Sequence, residues 1–148
     1  MKKVLIIEDD AKVASALKIR ITNAGYESFL AGDAISAVSA AMAARPDLLL
    51  VDINMPAGNG FMVVERIRAR LPGPVPIVFI TASKEPGLFD RALAMGASGF
   101  IEKPYNPVSL VTLLHNVLEK PVAVDHSVHT TQHGTPYRIA EDMLLRKN

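Results

Sequence analysis

Short apolar runs, each closed by a polar or charged residue and each followed by a stretch with helical spacing, recur along this chain and constrain it most. Residues 4–7 (VLII), 48–51 (LLLV) and 78–80 (VFI) are unbroken apolar segments. A strand with one wet face alternates apolar and polar side chains, so an unbroken run marks a strand buried on both faces, as in a parallel sheet. Weaker runs at 26–30 and 99–101 fit two further strands. Between them, Val13, Leu17 and Ile21 share one helical face, and Asp33 is placed to cap an alanine-rich stretch that Pro46 stops near Arg45. Phe61, Val64, Ile67 and Leu71 stripe a third helix, and Leu88, Ala92 and Met95 a fourth that Gly96 ends. Leu110, Leu113, Leu114 and Val117 stripe a fifth. Five strands alternating with five helices predict an α/β fold, an open five-stranded parallel sheet with helices on both faces.

This pattern covers residues 1–120, and 148 residues are in keeping with one such domain. Residues 121–148 differ in character: His126, His129 and His133 lie among Ser, Thr, Gln and Gly, which reads as a linker over 121–135. From about 136 to 147, Ile139, Ala140, Met143 and Leu144 give a modest apolar face, so a short C-terminal helix is expected. With no cysteine, the chain has neither disulfides nor thiolate metal ligands. A formal net charge of +1 and no Lys/Arg cluster give no electrostatic footprint for nucleic acid or for an acidic membrane. The four apolar residues after Lys2 and Lys3 are too few for a signal peptide, and no apolar run reaches membrane-spanning length. The expectation is a soluble, cytoplasmic protein.

Open parallel α/β sheets bind ligands beyond the carboxyl ends of their strands. The residues standing there are Glu8, Asp9 and Asp10 after the first run, Asp52 after the third, Thr81 after the fourth and Lys103 after the fifth. Asp10 is best read as a helix cap. Carboxylates gathered at one edge either bind protons more tightly or hold a cation, and all-oxygen ligation favours a hard ion such as Mg²⁺ or Mn²⁺. A carboxylate is also a competent phosphoryl acceptor once the incoming negative charge is neutralised, which a metal and Lys103 would do.

At these residues the chain resembles the receiver domains of bacterial two-component response regulators. The resemblance runs over about residues 2–120 and rests on VLIIEDD, LLLVDINMPAGNG, FITA and GASGFIEKP, in that order. It implies the flavodoxin-like strand order 2-1-3-4-5. It also implies that Asp52 is the phosphoacceptor, that Glu8 and Asp9 form the acidic pair with Asp9 the direct metal ligand, and that the Asn54 backbone carbonyl completes the site. Thr81 and Lys103 match the phosphate-contacting hydroxyl and ammonium, Ala82 leaves room for the phosphoryl group, and Asn54 and Ser83 stand where the lifetime of the acyl phosphate is tuned. Phe100 matches an aromatic switch residue that turns inward with Thr81 on activation, and the Lys103–Pro104 bond matches a cis peptide.

The resemblance further implies a histidine kinase or phosphotransfer protein as phosphodonor, and an output surface made by the fourth helix, fifth strand and fifth helix. Such a protein catalyses its own phosphorylation and dephosphorylation and turns over no separate substrate. The 28 residues after Lys120 are too few for a winged-helix or helix-turn-helix output domain, so signalling by protein contact is expected, with a homodimer left open. A flavodoxin-like cofactor binder would need a Ser/Thr/Gly-rich phosphate loop where this chain has EDD, which repels a bare phosphate. A pseudo-receiver acting by binding alone would normally have lost an acid, the acceptor or the lysine, all of which are present here.

Overall fold

The computed structural model describes residues 1–56, 59–119, 129–130 and 136–139, with residues 129–130 and 136–138 described by their backbone alone. The elements are β1 (Lys3–Ile7), α1 (Ala11–Asn23), β2 (Glu27–Ala31), α2 (Ala34–Ala44), β3 (Leu48–Asp52) and α3 (Gly60–Arg68). There follow β4 (Ile77–Thr81), α4 (Leu88–Ala94), β5 (Gly99–Glu102), α5 (Pro107–Glu119), β6 (His129–Thr130) and β7 (Pro136–Ile139). β1 to β5 are parallel in the order β2-β1-β3-β4-β5, as expected.

The unbroken apolar runs are explained by two cores, one on each side of the sheet. Leu5, Ile7, Leu49, Val51, Ile77 and Phe79 point to one side, where Ala37, Ala41, Val64, Ile67 and Ala92 of α2, α3 and α4 meet them. Their alternating neighbours Val4, Ile6, Leu48, Leu50, Val78 and Ile80 point to the other, against Leu17, Ile21, Leu110, Leu113 and Leu114 of α1 and α5. Strand side chains alternate between faces, so both sets must be apolar. Local chemistry fixes where the helices start. The Asp10 carboxylate accepts from the backbone N–H groups of Lys12 and Val13, Asp33 accepts from Ser36 in a reciprocal capping box, and Asn59 accepts from Met62. α3 ends at Arg68, short of the Leu71 expected on its stripe. Pro72 follows Leu71 and disfavours helical backbone at the residue before it.

The C-terminal segment departs from expectation. A helix was expected from about residue 136, but Pro136–Ile139 forms β7, antiparallel to β5, and His129–Thr130 pairs with β7 in turn. The β5 edge supplies the reason: its unpaired backbone groups are a template for another strand, and Pro136 stands at the first strand position, where a missing N–H is tolerated. Four apolar residues cannot by themselves distinguish helical from extended spacing. The remaining linker residues, His126 and His133, and the helix expected beyond residue 139 lie outside the described residues.

Candidate functional site

The parallel register brings the carboxyl ends of β1, β3, β4 and β5 to one edge of the sheet, with Ile7 beside Val51, Asp52 beside Ile80, and Thr81 beside Glu102. The residue at or just after each end is therefore delivered to the same place. Glu8, Asp9 and Asp52 each offer a carboxylate oxygen, and these oxygens lie within 4.8 Å of one another. Glu8 and Asp52 are each 4% exposed, whereas Asp9 is open to solvent.

Lys103 reaches across from the end of β5. Its ammonium donates to Asp52 Oδ2 at 3.0 Å and stands 3.5 Å from Glu8 Oε2. The Lys103–Pro104 bond is cis, as the family resemblance implied. The other acceptor oxygen, Asp52 Oδ1, takes the backbone N–H of Asn54 at 2.9 Å. The buried Thr81 hydroxyl donates to Asn54 Oδ1 at 2.7 Å and accepts from the Ser83 N–H at 3.0 Å.

The charge balance of this edge is uneven. Burial pushes the Glu8 carboxyl up from its ordinary 4.5 to about 7, and the neighbouring Asp52 adds to the rise, while Lys103 and the Asp10 N–H oppose it. Burial disfavours the Lys103 ammonium, but its hydrogen bond to Asp52 and the negative charge of Asp52 and Glu8 outweigh that and hold its pKa above the usual lysine value. When Glu8 ionises, one ammonium faces two buried carboxylates and the exposed Asp9, and the donors that this edge offers a cation are all oxygens. That donor set fits a hard divalent cation, for which Glu8, Asp9 and Asp52 would be the holders.

All six residues expected at the site, Glu8, Asp9, Asp52, Asn54, Thr81 and Lys103, are brought together. Phe100 is not part of the acidic cluster. Its ring is buried in the core and meets Phe89 of α4 edge to face, with centroids 5.7 Å apart. Two contributors escaped sequence reasoning. A Cβ on Gly60 would stand 2.5 Å from the Asp52 carbonyl oxygen and 2.8 Å from Val51 Cγ1, so only glycine lets α3 start against the end of β3. Tyr105, partly buried, has its hydroxyl pKa raised by burial and feels the charges of Lys103, Glu8 and Asp52. A Gly soon after the acceptor's Met-Pro turn was a readable signal for the first; nothing in the sequence marked the second.

The family described as the response regulator receiver domain matches residues 4–115. The chain belongs to that family. The receiver is 36% identical over 110 residues to the DNA-binding response regulator MtrA of Mycobacterium leprae, a match covering 74% of this chain and 48% of the relative. It is 29% identical over 126 residues to the transcriptional activator protein IrlR of Burkholderia pseudomallei, covering 85% of this chain and 54% of that protein. The receiver thus spans about half the length of these curated relatives. Among solved structures, the chemotaxis protein CheY4 of Vibrio cholerae superposes with a TM-score of 0.74 at 34% identity, over 80% of this chain and 99% of that one. The receiver is therefore a signalling module of two-component systems with the same architecture as that chemotaxis protein. No helix among the described residues is long and apolar enough to cross a membrane.

Proposed function

We propose that Asp52 accepts a phosphoryl group from a phosphohistidine on a histidine kinase or phosphotransfer protein, and that the resulting change is read by a downstream protein. The observation that carries this reading is the Lys103 ammonium, 3.0 Å from a buried carboxylate that also shares a cluster of oxygens with Glu8 and Asp9. A carboxylate oxygen of Asp52 forms the new P–O bond as the P–N bond of the donor breaks, and the donor imidazole leaves with the bonding electrons. Glu8, Asp9 and Asp52, with the Asn54 carbonyl, would hold Mg²⁺ (or Mn²⁺). When bound, that ion supplies positive charge to oppose the negative charge of the phosphoryl oxygens.

The protein's own part is charge and position. Lys103 holds the acceptor and neutralises transferred charge, and the Asn54 N–H fixes the second carboxylate oxygen. Thr81 supplies the hydroxyl that would change partner, leaving Asn54 for a phosphoryl oxygen. On this reading the Thr81–Asn54 bond breaks, and Phe100, which rests edge to face on Phe89, moves into the space that Thr81 leaves. The output surface is the α4–β5–α5 face, and its reader is a protein. The chain turns over no separate substrate.

Incubation with acetyl phosphate, with and without Mg²⁺, followed by a phosphate-affinity gel, tests this directly. A Mg²⁺-dependent shifted band that Asp52→Asn abolishes is expected. A band that persists in Asp52→Asn, or no band with any donor including a kinase, would overturn the assignment and leave a module that acts by binding alone.

A further inference from the structure

β5 is the last of the parallel strands, and such an edge exposes unpaired N–H and C=O groups that other chains can pair with. Here the edge is occupied by the chain itself. Ile139 stands opposite Gly99, Arg138 opposite Phe100 and Tyr137 opposite Ile101, all antiparallel. The partly buried Ile139 side chain also packs on the cluster formed by Ile101 and by Leu110, Leu113 and Leu114 of α5. The occupant is therefore held by a short backbone ladder and an apolar anchor. Behind it, among the described residues, stands the two-residue β6, through Thr130 opposite Pro136 and His129 opposite Tyr137.

This is the geometry by which an extended peptide adds to a sheet: main-chain hydrogen bonds supply affinity, and a pocket for an alternate side chain supplies selectivity. A four-residue strand next to the edge, backed by a two-residue one, also belongs to the least stable part of a fold, where local opening is cheapest. We propose that the β5 edge is a strand-accepting docking surface whose resting occupant is the chain's own Pro136–Ile139, and that an extended segment of a partner protein, with an aliphatic residue at the Ile139 position, takes its place. The tail then works as a tethered competitor. Its effective concentration at the edge is on the order of millimolar, so an outside segment must exceed that or arrive when the tail has opened. The proposal concerns the unmodified chain and stands apart from the chemistry of Asp52.

The test uses a fluorescein-labelled peptide of residues 129–145 and fluorescence anisotropy. The full chain, its Ile139→Asp variant and the double variant Tyr137→Pro/Arg138→Pro are compared. Ile139→Asp places a charge on the apolar anchor site. Adjacent backbone N–H groups point to opposite sides of a strand, so one of the two prolines must remove a ladder donor facing β5. The peptide should bind both variants about tenfold more tightly than the wild-type chain, as expected when a tethered competitor is removed. A peptide carrying Ile139→Asp should not bind. Hydrogen exchange gives a second reading: the β7-facing amides among residues 99–101 should exchange about tenfold faster in both variants, with those of β1 and β3 unchanged. Equal peptide binding to wild type and variants, no binding to any of them, or unaltered exchange at 99–101 would overturn the proposal. So would a wild-type dimer that Ile139→Asp dissolves, because the occupant would then be the tail of a second copy.

Discussion

Replacing Glu8 by Gln should make the metal-free protein more stable at neutral pH, although it removes half of the acidic pair. The native state binds the Glu8 proton more tightly than the unfolded chain does, because burial and the adjacent Asp52 raise its pKa from 4.5 to about 7. A carboxyl displaced that far is worth about 3 kcal/mol between its two protonation states. Stability falls with pH wherever the native state holds the extra proton, so this contribution is fully present below pH 4.5 and lost as pH rises through about 7. Glutamine resembles the protonated form at every pH and should not show the loss.

The assay is urea unfolding in EDTA from about pH 4.5 to 8. It is followed by far-UV circular dichroism, because the chain has no tryptophan to report fluorescence. The stability of wild type relative to Glu8→Gln should drop by about 3 kcal/mol across that window. Saturating Mg²⁺ should then restore wild type selectively, by about 2.7 kcal/mol at a hundredfold excess over its Kd. Parallel curves for the two proteins in EDTA would refute the reasoning, since they would show that Glu8 ionises in the fold as easily as in water.

Other outcomes follow from single contacts. Gly60→Ala should cost about 1–3 kcal/mol by overpacking and slow Asp52 labelling, because the added methyl group meets the Asp52 carbonyl oxygen at 2.5 Å; unchanged unfolding and labelling would count against it. Thr81→Val removes the hydroxyl that serves both Asn54 and Ser83, and should lower stability by about 1–3 kcal/mol in a urea melt. Lys103→Met removes the positive charge that holds Glu8 down, so the pH-dependent loss of stability should move to higher pH, read by the same titration. Asp10→Ala, which removes only a cap from α1, should cost about 1 kcal/mol of stability and leave phosphorylation intact.

What could be read beforehand follows from burial. β1, β3 and β4 were legible because a strand covered on both faces has no freedom to place a polar residue, and Leu48 to Val51 show the result. The site was legible because a parallel sheet delivers all its strand ends to one edge, so Glu8, Asp52, Thr81 and Lys103 could be assembled from their places just after the apolar runs. Contacts set by tertiary distance were not legible: the Thr81–Asn54 hydrogen bond, the nearness of Tyr105, and the edge-to-face pairing of Phe100 with Phe89. β7 was misread for a related reason. Its conformation is decided by the free side of β5, whose residues pair with it from 36 to 40 positions earlier in the chain, and not by the spacing of Ile139 and Ala140.

The acidic cluster and its lysine are drawn from the ends of β1, β3 and β5, with residues 8 and 103 separated by most of the folded chain. No fragment holding only the first strands contains the complete arrangement. On the proposed reading, a polypeptide emerging from the ribosome would lack the ammonium that holds the acceptor until Lys103 has cleared the exit and β5 has docked beside β4. The lysine-dependent part of the proposed chemistry is then open only to chains in which β1, β3 and β5 have come together.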